Sequence, residues 1–342
     1  MKDIVFCADG TWDHPHQETD GVSSDTNVRK FYKALVTDEH EFPIYDDGVG
    51  AHGNPWEHFL GGAFGEGLLA KIKDGYQQIA AAYQPSDRIH IFGFSRGAYT
   101  ARSLAGMIAD CGLPKNTSAL QNVTDAAFNV YRERKAHRDA VRTFIAKFDQ
   151  QEVTIATVGV WDTVGALGIP VKIFEGIDEA IYGFLDTALH PDIQAAYHAV
   201  SIDELRPEFE PTLWKSVPIP GQILAQIWFA GVHGDVGGGY PDCGLSNITL
   251  HWMIQKAMAR GLQFQSEVIS ALSVSAANAM AMLHHSWTPL FGEKTRRVIP
   301  PDAIYASTVR SRYLDDPTYR PPNLVPGFPS SLPNTCFFNV LA

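Results

Sequence analysis

Apolar side chains along this chain gather into short runs rich in β-forming residues: 4–8 (IVFCA), 42–46 (FPIYD), 88–92 (RIHIF), 153–160 (VTIATVGV) and 223–232 (ILAQIWFAGV). Runs of this length, closed by glycine and aspartate, predict strands buried in a sheet. Between them the apolar positions recur at steps of three and four, the spacing of a helix with one buried face. Thr26 can cap a helix through Val28, Phe31, Tyr32 and Leu35. Another runs to about Tyr83, and a third follows residue 95 through Ala98, Ala101, Leu104, Ala105, Ile108 and Cys111, with Gly112 as its stop. Further helices are predicted at roughly 125–148 (long and charged), 193–205, 247–260 and 267–285.

Strands alternating with helices predict an α/β fold: a mostly parallel central sheet with helices on both faces, in the manner of an α/β-hydrolase. The expectation is a single domain over residues 1–342, with its core in 1–286. The segment 166–189 is apolar but broken by glycine and proline, and reads either as a packed satellite of the core or as a cap over Ser95 whose inner face holds an acyl chain. Residues 287–342 are proline-rich with little periodicity, and read as an irregular C-terminal extension wrapped over the domain.

In such sheets ligands bind beyond the carboxyl ends of the strands. The predicted ends carry Asp9, Asp46, Ser95, Asp162, and His233 with Asp235. Ser95 lies in Gly-Phe-Ser-Arg-Gly between a strand and a helix, the setting of a nucleophile elbow; Gly93 and Gly97 leave room for the sharp turn. A serine hydroxyl attacks well only when a base takes its proton and an acid steadies the base. The chain order Ser95, Asp162, His233 is that of α/β-hydrolases, with His233 as base and Asp162 as acid. The oxyanion hole would combine the Arg96 N–H with one from Gly10 or Thr11.

Rival residues stay open at this point. His198, within a predicted helix, competes for the base; most of the other histidines, His284 and His285 among them, read as surface. Asp235 competes for the acid, or else holds the glycine-rich backbone of 236–240, and Asp9 is expected to brace the oxyanion loop. A metal held by His233, Asp235 and Asp9 lacks any H-E-x-x-H spacing, so neither metal nor cofactor is expected. The glycines of 48–67 do not follow a strand with G-x-G-x-x-G spacing, which argues against a dinucleotide.

Charge narrows the partners. A formal net charge of −11 disfavours a nucleic-acid backbone. Four scattered cysteines without a C-x-x-C pair suit a reducing compartment. No apolar run is long enough to span a bilayer, and a strand begins almost at Met1, leaving no room for a signal peptide. A cytoplasmic protein is expected, with signal-independent secretion compatible; the sequence does not indicate an oligomeric state.

Seven stretches taken together resemble a known family: FCADGTW, DTNV, IYDDGVG, GFSRGAYTARSLAGMI, GVWDTVGALG, HAVSIDELRPEFEPTLW and WFAGVHGDVGGGY. They resemble the DUF2235 α/β-hydrolases, which include the catalytic domain of type VI secretion phospholipase effectors. The resemblance implies a Ser–Asp–His triad on Ser95, Asp162 and His233, and phospholipid ester cleavage for secreted members. It makes a phospholipase A or lipid esterase, touching the membrane surface transiently, the expected activity. An esterase for small soluble acyl substrates and a non-catalytic binding protein are the rivals. The chain is expected to lack the large membrane-docking region of those effectors.

Overall fold

The computed structural model describes residues 1–10, 18–19, 22–48, 63–134, 137–165, 188–272 and 274–341. Its centre is an eight-stranded sheet: β1 (Asp3–Ala8), β2 (Glu41–Asp46), β3 (Arg88–Phe94), β4 (Ile155–Trp161), β5 (Ala195–Ser201), β6 (Ile223–Phe229), β7 (Ile304–Ala306) and β8 (Phe337–Phe338). The spatial order is β8-β7-β6-β5-β4-β3-β1-β2, and every neighbouring pair is parallel. The chain steps from β1 outward to β2, returns to the other side of β1 for β3, and then proceeds in one direction. The order therefore reverses between β1 and β3, which opens a crevice beyond their carboxyl ends.

Both faces of the sheet are covered. Along β1, Ile4, Phe6 and Ala8 join one core, while Val5 and Cys7 join the other. The strand therefore reads as a continuous apolar run, as parallel strands buried on two faces do. On the first face lie α2 (Ala63–Ala82), α3 (Arg96–Cys111) and α4 (Leu120–Glu133). The second carries α1 (Asn27–Ala34), α7 (Gly244–Met258) and α9 (Ser307–Asp315). Thr26 caps α1 as its residue type predicts, its hydroxyl accepting from the Arg29 N–H.

Four expectations are corrected. The predicted helix at 193–205 is strand β5, all seven residues of which are buried. Its alanines favour a helix in isolation, but a central strand between two covered faces needs small apolar residues on both sides. The long helix at 125–148 is two, α4 and α5 (Arg138–Lys147). The break falls near Arg134, whose guanidinium lies 3.9 Å from the Tyr131 ring and 2.9 Å from Asp110. The helix at 267–285 is shorter, α8 (Ser266–Leu272) followed by a 3₁₀ turn at Ala276–Met280. The extension 287–342 is not merely irregular: it adds α9, β7 and β8 to the structure, so the core runs past residue 286. The cap segment 166–189 lies outside the described residues except for its last two.

Candidate active site

The site begins with the turn from β3 into α3. Ser95 has φ 58° and ψ −121°, a conformation uncommon for a residue with a side chain and one that drives the chain sharply into the helix. The turn needs its glycines. A Cβ on Gly93 would lie 2.4 Å from the Gly97 carbonyl oxygen, and a Cβ on Gly97 would lie 2.2 Å from that of Ala8. Arg96 opens α3 directly after the serine, at the positive end of the helix dipole.

Asp162 follows β4 in a second left-handed turn, φ 42°. His233 follows β6 as the first residue of α6 (His233–Gly237). These strand ends bring the three side chains into a line. His233 Nε2 is 2.8 Å from Ser95 Oγ, and His233 Nδ1 is 2.5 Å from Asp162 Oδ2. All three residues are buried. With a hydrogen on Nδ1 facing the carboxylate, the Nε2 lone pair faces the hydroxyl.

Asp162 is saturated with donors. Oδ1 accepts from the Ser201 N–H at 2.9 Å and from Arg297 Nη1 at 2.6 Å, while Arg297 Nη2 reaches Oδ2 at 2.8 Å. Burial alone would raise this carboxyl, but the Arg297 charge and the His233 bond outweigh it and hold Asp162 below the usual carboxylate range. Burial pushes His233 the other way, toward the uncharged form, and Asp162 only partly offsets it.

One carboxylate on its backbone and two aromatic rings hold His233 from the remaining sides. Glu204 accepts the His233 backbone N–H at 3.2 Å and pairs with Arg206, which with other donors holds it down at about 2 against the pull of burial. The Phe94 and Phe209 rings lie 4.6 and 4.8 Å from the imidazole. The Arg206 guanidinium covers Phe209 at 3.5 Å.

The rival residues fall elsewhere. His198, in β5, is fully buried, accepts the Thr163 N–H on Nε2 at 3.1 Å, and is lowered to about 3 by burial and the nearby Arg102. It is a packed neutral histidine behind Asp162. Asp235 does not brace the backbone of 236–240; it accepts from the Val232 N–H at 3.0 Å and from His284 Nδ1 at 2.5 Å. His284 is therefore no surface histidine. Asp9 accepts from Gly10, Thr26 and Tyr45 within 2.5–2.8 Å, and burial lifts it to about 6. The Gly10 N–H, expected in the oxyanion hole, points at Asp9 Oδ1 at 2.7 Å instead. Thr11 lies outside the described residues. Asp46 pairs with Lys71. Among the described residues no group of three or more His, Cys, Asp or Glu side chains could hold a metal.

A family model described as the type VI secretion phospholipase effector Tle1-like catalytic domain matches residues 2–256. The chain belongs to this family. The family, also known as DUF2235, is one of phospholipase effectors by description. The chain is 28% identical over 242 residues to the uncharacterized protein YEL023C of Saccharomyces cerevisiae, covering 64% of this chain and 33% of that protein. Among solved structures, an uncharacterized protein from Pseudomonas aeruginosa superposes with a TM-score of 0.52 at 18% identity, over 82% of this chain and 50% of that one. The structure of the Tle1 effector bound to the VgrG spike gives 0.40 at 17% identity, over 70% and 51%. The chain thus spans a third of the yeast relative and about half of each solved chain.

Arg297, Glu204 and Arg206 are not among the residues the sequence points to, and His284 reads there as surface. Arg297 and His284 also lie beyond the segment the Tle1-like family model matches. Glu204 stood in a predicted helix, and reading 195–201 as a strand would have placed it at a strand end.

Proposed function

We propose that the chain is a serine hydrolase that cleaves lipid esters of the phospholipase A kind through an acyl-enzyme. The observation that carries this reading is the continuous line of hydrogen bonds from Ser95 Oγ through the imidazole of His233 to Asp162, 2.8 and 2.5 Å long. Membership in the Tle1-like family supplies the lipid.

In the first half-reaction His233 Nε2 takes the Ser95 proton as Oγ adds to the ester carbonyl carbon. The negative charge that forms on the carbonyl oxygen is met by the Arg96 N–H and by a donor from the loop after β1, for which Thr11 is the candidate. Loss of one such donor typically costs about 3 kcal/mol of transition-state stabilisation. The imidazolium then protonates the departing alkoxide, leaving the acyl group on Ser95. Water, deprotonated by the same nitrogen, attacks the acyl carbon and releases the fatty acid. Asp162 stays ionised throughout and holds the tautomer. Segment 166–189, by its apolar composition, would receive the acyl chain.

The test is incubation with a total lipid extract followed by mass spectrometry of the products, against the Ser95→Ala protein. Release of fatty acid and lysolipid by the wild type alone is the expected result. Turnover of small esters only would favour a soluble-ester esterase. Failure of a broad phosphonate probe to label the wild type would favour a binding protein.

A further inference from the structure

Arg297 reaches Asp162 from 135 residues further along, out of a stretch with no regular secondary structure. Its side chain is 3% exposed. Besides both Asp162 oxygens, Nη1 donates to the Ser201 carbonyl at 2.9 Å and Nη2 to the Phe209 carbonyl at 2.6 Å. Four bonds thus fix the guanidinium against the carboxylate, a bidentate contact that lysine cannot copy.

That arrangement changes what the imidazole experiences. In a serine–histidine–aspartate line the carboxylate steadies the imidazolium with an uncompensated negative charge. Here a cation that never deprotonates shares the same two oxygens. The imidazole therefore faces a carboxylate and a guanidinium together, and the protonated ring gains less. Other charges around it do not undo this. Glu204 faces the His233 backbone but is engaged bidentately by Arg206 at 2.9 and 2.8 Å, so the two largely cancel. His198 faces Asp162 from β5 and is neutral, with Arg102 beside it.

We propose that Arg297 is a positioning residue that keeps His233 uncharged, and so able to act as a base, at lower pH than an unclamped carboxylate would allow. The hydrolase would then keep working in mildly acidic surroundings. The inference rests on the reading of Ser95, His233 and Asp162 as the reacting groups.

Two readouts test it on wild type, Arg297→Gln and Arg297→Lys. One is kcat/KM against pH on a monomeric chromogenic ester. The other is the titration of the His233 imidazole followed by NMR of labelled histidine, which needs no substrate. The wild-type midpoint is expected below the ordinary imidazole value of about 6.5. Arg297→Gln is expected to raise that midpoint and the acid limb together by about one pH unit. Arg297→Lys, which keeps the charge, should titrate close to wild type while losing rate at the optimum by about tenfold. A slower Arg297→Gln protein with an unmoved midpoint would mean a merely structural contact and would overturn the proposal. If Arg297→Gln does not fold, a wild-type midpoint above about 6.5 overturns it by itself. A shifted midpoint in a protein that hydrolyses nothing would sink the hydrolase reading and leave the clamp standing.

Discussion

Two imidazole–carboxylate pairs lie at the same end of the sheet, and by bond length alone they cannot be told apart. His233 is 2.5 Å from Asp162, and His284 is 2.5 Å from Asp235. Their surroundings differ. The His233 ring has a serine on its second nitrogen, delivered by a strained turn, and its acid is gripped by a buried arginine. The His284 ring instead lies flat on Tyr240, centroids 3.9 Å apart and planes 13° apart, and its own backbone N–H donates to the same Asp235 at 3.1 Å. The first pair is lined up on a serine hydroxyl, the group proposed to react. The second ties the loop at 284 to α6 and so holds the histidine next to it in place. Pairing by itself is a structural device; what sets the first pair apart is the hydroxyl that the elbow places on its second nitrogen.

Substitutions can break that contrast. Ser95→Ala should lower ester turnover about 10⁴-fold or more and abolish phosphonate labelling, with an unchanged circular dichroism spectrum. Retained turnover would refute the nucleophile. Asp162→Asn should cost about 10³- to 10⁴-fold in kcat, because the amide can donate to the ring and favour the wrong tautomer. Gly97→Ala would force a Cβ to within 2.2 Å of the Ala8 carbonyl oxygen. A loss of about 3 kcal/mol in denaturant unfolding is expected, and an unchanged midpoint would mean the elbow is looser than described. Asp235→Asn should lose about 1–3 kcal/mol of stability, since it disturbs a buried hydrogen-bonded group. Its kcat should stay within about tenfold of wild type; a loss as large as that of Asp162→Asn would erase the distinction between the two pairs.

The smallest expected effect is on acid stability. Asp162 is held below its ordinary range and Glu204 at about 2, both under their unfolded values of about 3.9 and 4.3. A carboxyl lowered on folding adds stability that is full above the unfolded value and is lost as the pH falls through the folded one. Wild type should therefore hold its fold to below about pH 4, and Arg297→Lys should unfold at higher pH in the same titration. Coincident acid transitions would mean the clamp adds nothing to the fold.

The sheet and the three central residues were legible because each rests on local pattern. An apolar run ending in a chemical side chain is visible within ten residues, and five such runs name the strand ends. Strand β5 was not legible, since AAYHAVS carries the composition of a helix and only its place between β4 and β6 makes it extended. Arg297 left no local signal either. It stands among prolines and charges without periodicity, and its meaning is a contact made across 135 residues. His284 was hidden for the same reason: one histidine beside another in an irregular stretch looks like surface until the carboxylate facing it is known. The expectation for Gly10 failed on a short-range detail, the adjacent Asp9 carboxylate that takes its N–H.

The route by which Arg297 arrives has a consequence for how the protein comes into being. A growing polypeptide that has reached only the end of α7 already holds Ser95, Asp162 and His233, yet the cation that balances the buried acid has not been synthesised. Until translation passes residue 297, the guanidinium that grips both Asp162 oxygens is absent, and β7 and β8 are still missing from the sheet edge. A shortened gene ending where the recognisable family segment stops would encode Ser95, His233 and Asp162 without the guanidinium that sits on the acid.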